Sequence, residues 1–440
     1  MYQDDKKKET MDIYIVQPRD DINSIADKFG VSVSTLILEN GIENQESLVP
    51  GQALVITYPS QIHTVEEGDS LTSIASNYDV SVMQLLRNNS FLSDREYIFP
   101  GESLVISYDT DRKLAIAGYI YPFVNMKTLE KTLPYLTYLY VINYRIADGG
   151  NIITLNDTSE IINLSLSYST IPLMGLSAVS PRGERDIEEI FELLVNKNYQ
   201  TQFINNILEI IQVSGYYGVN FFVSELSESN QELYFELLKN LSDSLGNKGY
   251  LMFFTVDPNI EFIDGEVSFQ NIDYTMAGKL IDGVTFINEL WASIKGPPSP
   301  IASVSLLSDY MDIIIPIVSE DKIYAEIPLL AYDWRLPYID QNTFANSLSL
   351  NFAMSLAIDV GAVIQFDEVS QTPFFQYKNI YSPYLPDHIV WFVDARTFDA
   401  MLQLVTEKNM AGVGVWNIMT FYQQLWSVLI SQYDVIKLLP

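Results

Sequence analysis

Asn220, Phe222 and Ser224 fall at every second position along the apolar run 219–223 and the residue beyond it. Successive side chains of a strand point to opposite faces, so these three share one face, and in a closed barrel that face can be the inner one. The groups offered there are an amide, a phenyl ring and a hydroxyl. A serine hydroxyl donates no proton usefully near neutral pH, and phenylalanine offers no acceptor. Glu225 points by the same alternation into the outer layer. Glu289 follows a second apolar run, Tyr332, Asp333 and Trp334 follow a third, and Trp416 ends a fourth. Asp367 and Glu368, with Asp394 and Arg396, read as a structural polar network, with a sugar contact as the alternative. His63 and His388 stand alone in their neighbourhoods, there is no cysteine, and no HExxH, Ser-His-Asp set or glycine-rich phosphate loop occurs. Metal catalysis and nucleotide use are therefore disfavoured, and neither metal nor cofactor is implied.

The elements that must position these residues follow from periodicity. Ile204, Ile207, Leu208 and Ile211 recur at i, i+3, i+4 and i+7, so one helical face is apolar and packs on something. Gly215 ends that helix, and the run after it is of the kind found in a parallel strand covered on both sides. Strand-like runs at 114–121, 138–144, 171–176, 219–223, 251–256, 283–287, 324–330 and 412–416 alternate with helical stretches. That alternation argues for an α/β fold, a TIM (β/α)8 barrel occupying about 112–440. The block at about 331–395, between the seventh and eighth strands, reads as a small α+β insertion. Trp334 and Trp416 matter because they stand at strand ends on the face where barrels keep their sites.

Ahead of the barrel lies an internal repeat. Val16, Ile25, Ala26, Leu36 and Asn40 recur as Val65, Ile74, Ala75, Leu85 and Asn89. After a one-residue insertion, Pro50, Gly51, Leu54, Val55 and Ile56 recur as Pro100, Gly101, Leu104, Val105 and Ile106. Each copy reads strand, helix, helix, strand, over 12–58 and 62–108, preceded by a polar tail at 1–11 expected to be frayed.

The 440 residues suffice for a barrel plus small modules, and 48% hydrophobic content with 28 Tyr and 22 Phe excludes global disorder. Asp and Glu number 56 against 25 Lys and Arg, a formal charge of -31. Such a field repels phosphate backbones and anionic lipid, so no nucleic acid is expected as a partner. There is no run of 18 uncharged apolar residues and hence no expected membrane insertion. The charged start MYQDDKKKETMD has no apolar core of a signal peptide.

Two resemblances give these patterns a name. The repeat resembles the LysM domain in both copies, which implies binding to peptidoglycan or another N-acetylglucosamine glycan. By that resemblance the groove lies between 18–21 and 41–49 in the first copy and between 67–70 and 90–99 in the second. Arg19-Asp20 in the first copy replaces the Gly68-Asp69 that precedes Ser70 in the second, so the second is expected to bind better. The remainder, from about residue 114, resembles the family 18 glycoside hydrolases, the chitinase-like enzymes, and in particular the LysM-bearing spore cortex-lytic N-acetylglucosaminidases. It does so at YYGVN from Tyr216, IPLLAYDWRLPY from Ile327, IQFDEVSQTPFFQY from Ile364 and VWFVDARTF from Val390. The resemblance implies an Asp at 222, a Glu at 224 and a Tyr at 289; the chain has Phe222, Ser224 and Glu289. In that family the substrate's own acetamide is the nucleophile, the Glu protonates the leaving oxygen, and the Asp and Tyr hold the acetamide. Losing the acid alone costs about 10² to 10⁴ in rate. Losing positioning forfeits up to about 7 to 11 kcal/mol. The resemblance also makes Trp416 the floor on which a sugar stacks, with Tyr332, Asp333 and Trp334 as further sugar contacts.

The expectation is a glycan-binding pseudoenzyme, a spore coat or cell-wall-associated protein. Two alternatives stay open. One is an active hydrolase using Glu289 as a displaced acid, against an ion pair of Glu289 with Lys295 or Arg335. The other is a scaffold that binds other spore coat proteins.

Overall fold

The computed structural model describes residues 10–43, 48–95, 97–110, 112–177, 187–223, 226–258, 260–263, 266–269, 271–287, 296–378 and 387–439. The expected tail at 1–11 therefore lies outside the described residues as far as residue 9.

In the first LysM module strand Met11–Ile15 pairs antiparallel with Ala53–Thr57, and helices Ile22–Phe29 and Val33–Asn40 lie between them. The second repeats this with strands Gln61–Thr64 and Ser103–Ser107 around helices Leu71–Tyr78 and Val82–Asn88. Each helix has a reason to start where it does. Asp21 and Ser70 build capping boxes, and Ser32 and Ser81 accept from the first free amides of the second helices. The recurring asparagine is explained too. The side-chain amide of Asn40 donates to the carbonyls of Leu36 and Val55, and its oxygen accepts from Val55 N at 2.7 Å. Asn89 does the same with Leu85 and Val105. One buried side chain thus ties the end of the second helix to the closing strand, which no apolar residue could do.

The rest is a closed barrel of eight parallel strands. In chain order they are Lys113–Ile120, Tyr138–Ala147, Ile171–Ser177, Gly218–Val223, Leu251–Val256, Gly283–Phe286, Ile323–Pro328 and Gly412–Trp416. Each pairs in parallel with the next, and the eighth returns to the first. These lie within a few residues of the runs read from the sequence. Two cores result from the alternation of side chains. Outward residues such as Val219, Phe221 and Val223 pack beneath the helices, Ile204, Ile207 and Ile211 among them. Inward residues fill the barrel: Tyr119, Tyr138, Tyr140, Leu173, Phe253 and Tyr324.

Between the seventh and eighth strands the chain builds a five-stranded antiparallel sheet with the helix Leu350–Asp359 beside it. Strand Ala331–Arg335 lies within that sheet, paired on one side with Asn346–Leu348 and on the other with His388–Trp391.

Candidate functional site

At the C-terminal end of the barrel the fourth, eighth and first strands bring Phe222, Trp416 and Tyr119 together. The Phe222 ring meets Tyr119 at 5.8 Å and Trp416 at 6.1 Å between centroids, and Tyr119 meets Trp416 at 5.4 Å, all edge-to-face. Such pairs add about 0.5–1.5 kcal/mol beyond area burial. Trp416 is pinned by the backbone on both sides. Its carbonyl accepts from Leu329 N at 2.6 Å, while Ile418 N donates to the Tyr119 carbonyl at 3.0 Å. Gly414 makes room for Tyr119, since a Cβ there would sit 2.8 Å from the Thr285 methyl and 3.1 Å from the Tyr119 ring.

Below this aromatic floor is a short polar chain. The Tyr119 hydroxyl lies 2.8 Å from Thr255 Oγ1, which also exchanges hydrogen bonds with the Asn220 amide at 2.9 and 3.2 Å. Burial pushes the Tyr119 phenol well up, with the charge of Glu326 acting in the same sense. That burial favours the neutral hydroxyl of Tyr119. Glu326 is 2% exposed on the seventh strand, on the inward face it shares with Tyr324. It is a carboxylate inside the barrel that the sequence reading passed over. The signal was there: period two through 324–328 turns a lone Glu inward with Tyr324.

Phe222 is thus placed on the inner face, as expected. Ser224, Glu225, Glu289 and Lys295 lie outside the described residues, so the ion-pair alternative for Glu289 does too. The sugar contacts expected after the seventh strand are corrected. Trp334 is fully buried and Tyr332 is 4% exposed; both sit in the core of the insertion with Ile301, Ala345 and Ile389. The Trp334 indole N–H donates to the Gly296 carbonyl at 3.0 Å. Asp333 faces the other way and is consumed, one oxygen accepting from Tyr377 at 3.0 Å, the other 2.9 Å from His388 Nδ1. Pairing within a sheet, and not the open mouth of the barrel, decides where these three point.

The charged network divides. Asp367 accepts from the amide and hydroxyl of Ser370 and so closes its own turn, while Gln371 donates to the Glu368 carbonyl. Asp394 caps helix Ala395–Glu407 and pairs with Arg396 at 2.6 Å. Arg396 lies over Phe366 and donates to the Gly51 carbonyl at 3.3 Å, joining the barrel to the first LysM module.

In the LysM loops Arg19 and Gly68 occupy equivalent left-handed conformations, φ 80° and 94°. Asp20 accepts from the Tyr14 hydroxyl at 2.6 Å and Gln17 N at 2.8 Å. Asp69 accepts from Glu66 N at 2.8 Å and lies 2.8 Å from His63 Nε2. The acidic residues of these loops brace their own turns, and Ser70 caps its helix. Among the described residues no group of three or more His, Cys, Asp or Glu could hold a metal, and no helix is long and apolar enough to cross a membrane.

A closed eight-stranded parallel barrel with an α+β insertion and two βααβ modules ahead of it defines the class as a glycosidase-type barrel joined to two LysM modules. The chain belongs to glycosyl hydrolases family 18, matched over residues 179–420, and carries two LysM domains, matched over 14–57 and 63–107. It is similar to the putative sporulation-specific glycosylase YdhD of Bacillus subtilis, 27% identical over 93% of this chain and 95% of that one. It is 26% identical to the cortical fragment-lytic enzyme of Bacillus anthracis over 97% and 99% of the two chains. Among solved structures, the Bacillus cereus spore cortex-lytic enzyme SleL superimposes with a TM-score of 0.79 at 26% identity, over 97% of this chain and 99% of that one.

Proposed function

We propose that this protein binds an N-acetylglucosamine-containing cell-wall glycan through its LysM modules and its barrel, and that the barrel is catalytically impaired. The reading is carried by Phe222. Where the resemblance implies an acetamide-holding Asp, a phenyl ring packs against Trp416 and Tyr119, and the sequence has Ser224 in place of the acid. An aromatic floor stacks on a sugar without a carboxylate. Proton transfer to the leaving oxygen has no such substitute. Location in a spore coat or cell-wall layer is supported by relatives named for sporulation and cortical fragments. Incubation with purified cortex fragments and chitooligosaccharides tests the reading: binding with no release of reducing sugar is expected. Release at the rate of an intact family member would overturn it.

A second reading, hydrolysis by a displaced carboxylate, is favoured by Glu326, which brings an ionisable group into the barrel interior beside Tyr119. On that reading Glu289→Gln or Glu326→Gln abolishes turnover and spares binding. If neither substitution changes a measurable rate, the displaced acid is eliminated. Coat assembly through other proteins is the third reading, and it predicts sacculus binding that is indifferent to every substitution in the LysM loops and at Trp416.

A further inference from the structure

Where the first LysM module meets the barrel, the two leave a cavity of about 190 Å³ between them. One wall is Asn40 to Glu43 with Gln52 and Ala53, the other is the insertion helix Leu350–Asp359, and Asp394, Tyr422 and Gln424 close the buried end. None of these residues belongs to the aromatic floor of the barrel. None belongs to 18–21 either, the loop that the LysM resemblance places on the far side of the glycan groove.

Most polar groups at the buried end are already engaged. Asn40 and Gln424 satisfy each other and the backbone, and Asp394 holds Arg396. Gln52 is different. It is 8% exposed, its side-chain oxygen accepts from Val49 N at 3.2 Å, and its side-chain NH2 donates to nothing among the described residues. Leaving a buried donor unpaired costs about 1–3 kcal/mol, so this amide is set to meet an acceptor that enters the cavity.

The exposed rim has the opposite sense. Glu43 and Asp359 stand there, and neither pairs with a cation among the described residues. Two helices also end at the cavity, Val33–Asn40 and Leu350–Asp359, and the carbonyls of a helix C-terminus add partial negative charge. Ile42, Met354 and Ile358 supply apolar surface. A matching ligand has a cation for the rim, a carbonyl oxygen for Gln52 and an aliphatic stretch. A neutral sugar lacks the charge, and a folded partner is too large for a space below the roughly 300 Å³ of ordinary small-molecule sites. A short peptide bearing an amine has all three features.

We propose that this seam binds a short peptide with a free side-chain amine, the chemistry of the peptide branches of peptidoglycan. The docked LysM module and the insertion then hold wall peptide together, each supplying one side of the site. The inference rests on the cell-wall reading above and adds a second component of the wall to it.

The full chain is titrated by calorimetry with N-acetyl-L-alanyl-γ-D-glutamyl-L-lysyl-D-alanine amide, with the same peptide acetylated on its lysine amine, and with peptide-free chitotriose. The free amine should bind, and the acetylated peptide should bind about 2- to 5-fold more weakly, the effect of one exposed ion pair. Asp359→Asn should reproduce that loss. Ser355→Trp, an exposed change on the insertion helix that fills the cavity, should abolish peptide binding and leave chitotriose affinity unchanged. No binding of the free peptide, equal affinity for both peptides, or indifference to Ser355→Trp would overturn the seam site and leave the glycan reading intact. Peptide binding without chitotriose binding would support the seam and count against the glycan reading. A lysine peptide of unrelated sequence that binds as tightly as the wall peptide would overturn the assignment to the wall.

Discussion

The two LysM copies share one pattern of residues and are used differently. In the first, the Pro50-Gly51 turn is pressed onto the barrel: Ile364 N donates to the Pro50 carbonyl at 2.9 Å, and Arg396 reaches the Gly51 carbonyl. Gln424, on the last helix Gln423–Gln432, donates to Asn40 Oδ1 and the Ala53 carbonyl, and Ser427 donates to the Glu39 carbonyl. In the second copy the contacts are Ser90 with Gln423 and Arg87 with Pro134 and Tyr135. Its Pro100-Gly101 turn has nothing near the glycine, and Tyr97 and Phe99 are exposed. One module is mortised into the barrel; the other keeps its loop in solvent. A repeat unit carries enough information to fold twice, but not enough to say which copy meets a ligand.

The widest gap between the copies should appear at the two turn glycines. A Cβ on Gly51 would lie 1.9 Å from the Ile364 carbonyl oxygen, whereas one on Gly101 meets nothing within 4 Å, and both residues have φ near 90°. Gly51→Ala should cost about 3 kcal/mol or more through backbone overlap added to φ strain. Gly101→Ala should cost about 1 kcal/mol from strain alone. Urea unfolding of the two variants decides it, and equal losses would mean that the first module is not docked as described.

Next in size is a dependence on pH that only the first copy carries. The Glu39 carboxyl turns inward onto the hydroxyl and amide of Thr57, beside the Tyr108 hydroxyl, and forms no salt bridge among the described residues. Burial raises its pKa to about 7 from an ordinary 4.5. The folded state therefore holds a proton that the unfolded chain releases earlier. The associated stability is full below about pH 4.5 and is lost as pH rises to about 7, amounting to up to about 3 kcal/mol. Asn88 holds the equivalent place in the second copy and bonds the Ile106 carbonyl without titrating. Glu39→Gln should flatten the profile of stability against pH between 4.5 and 7, measured by chemical denaturation. An unchanged slope would assign the dependence elsewhere.

A smaller effect should sharpen the functional half of the comparison. If the second copy is the binding one, Tyr97→Ala should weaken sacculus binding by about 2- to 10-fold, while Leu38→Ala, an exposed change in the first copy, leaves it unaltered in a sedimentation assay. Smallest of all is Arg19→Gly. It relieves a left-handed backbone that Gly68 adopts freely, but glycine also loosens the unfolded chain. A gain of no more than about 1 kcal/mol in denaturant unfolding is expected.

The eight strands, the repeat and the inward placing of Phe222 are all legible in the sequence, because each rests on a short period that a few residues display. The sites were less so. Asp333 and Trp334 looked like cleft residues because they follow a barrel strand, but the chain there leaves the barrel and joins a second sheet, which buries one and pairs the other. Glu326 could have been found from alternation alone.

Local rules set the helix caps, the strand faces and the absence of an acid at 224, since each depends on neighbours within a few positions of the chain. Which LysM loop stays open, which aromatic rings line up and which carboxyl is deprived of water depend on segments hundreds of residues apart, as Gly51 against Ile364 and Tyr121 against Trp416 illustrate. Desolvation and steric overlap are properties of surroundings, and those surroundings exist only once the chain has closed on itself.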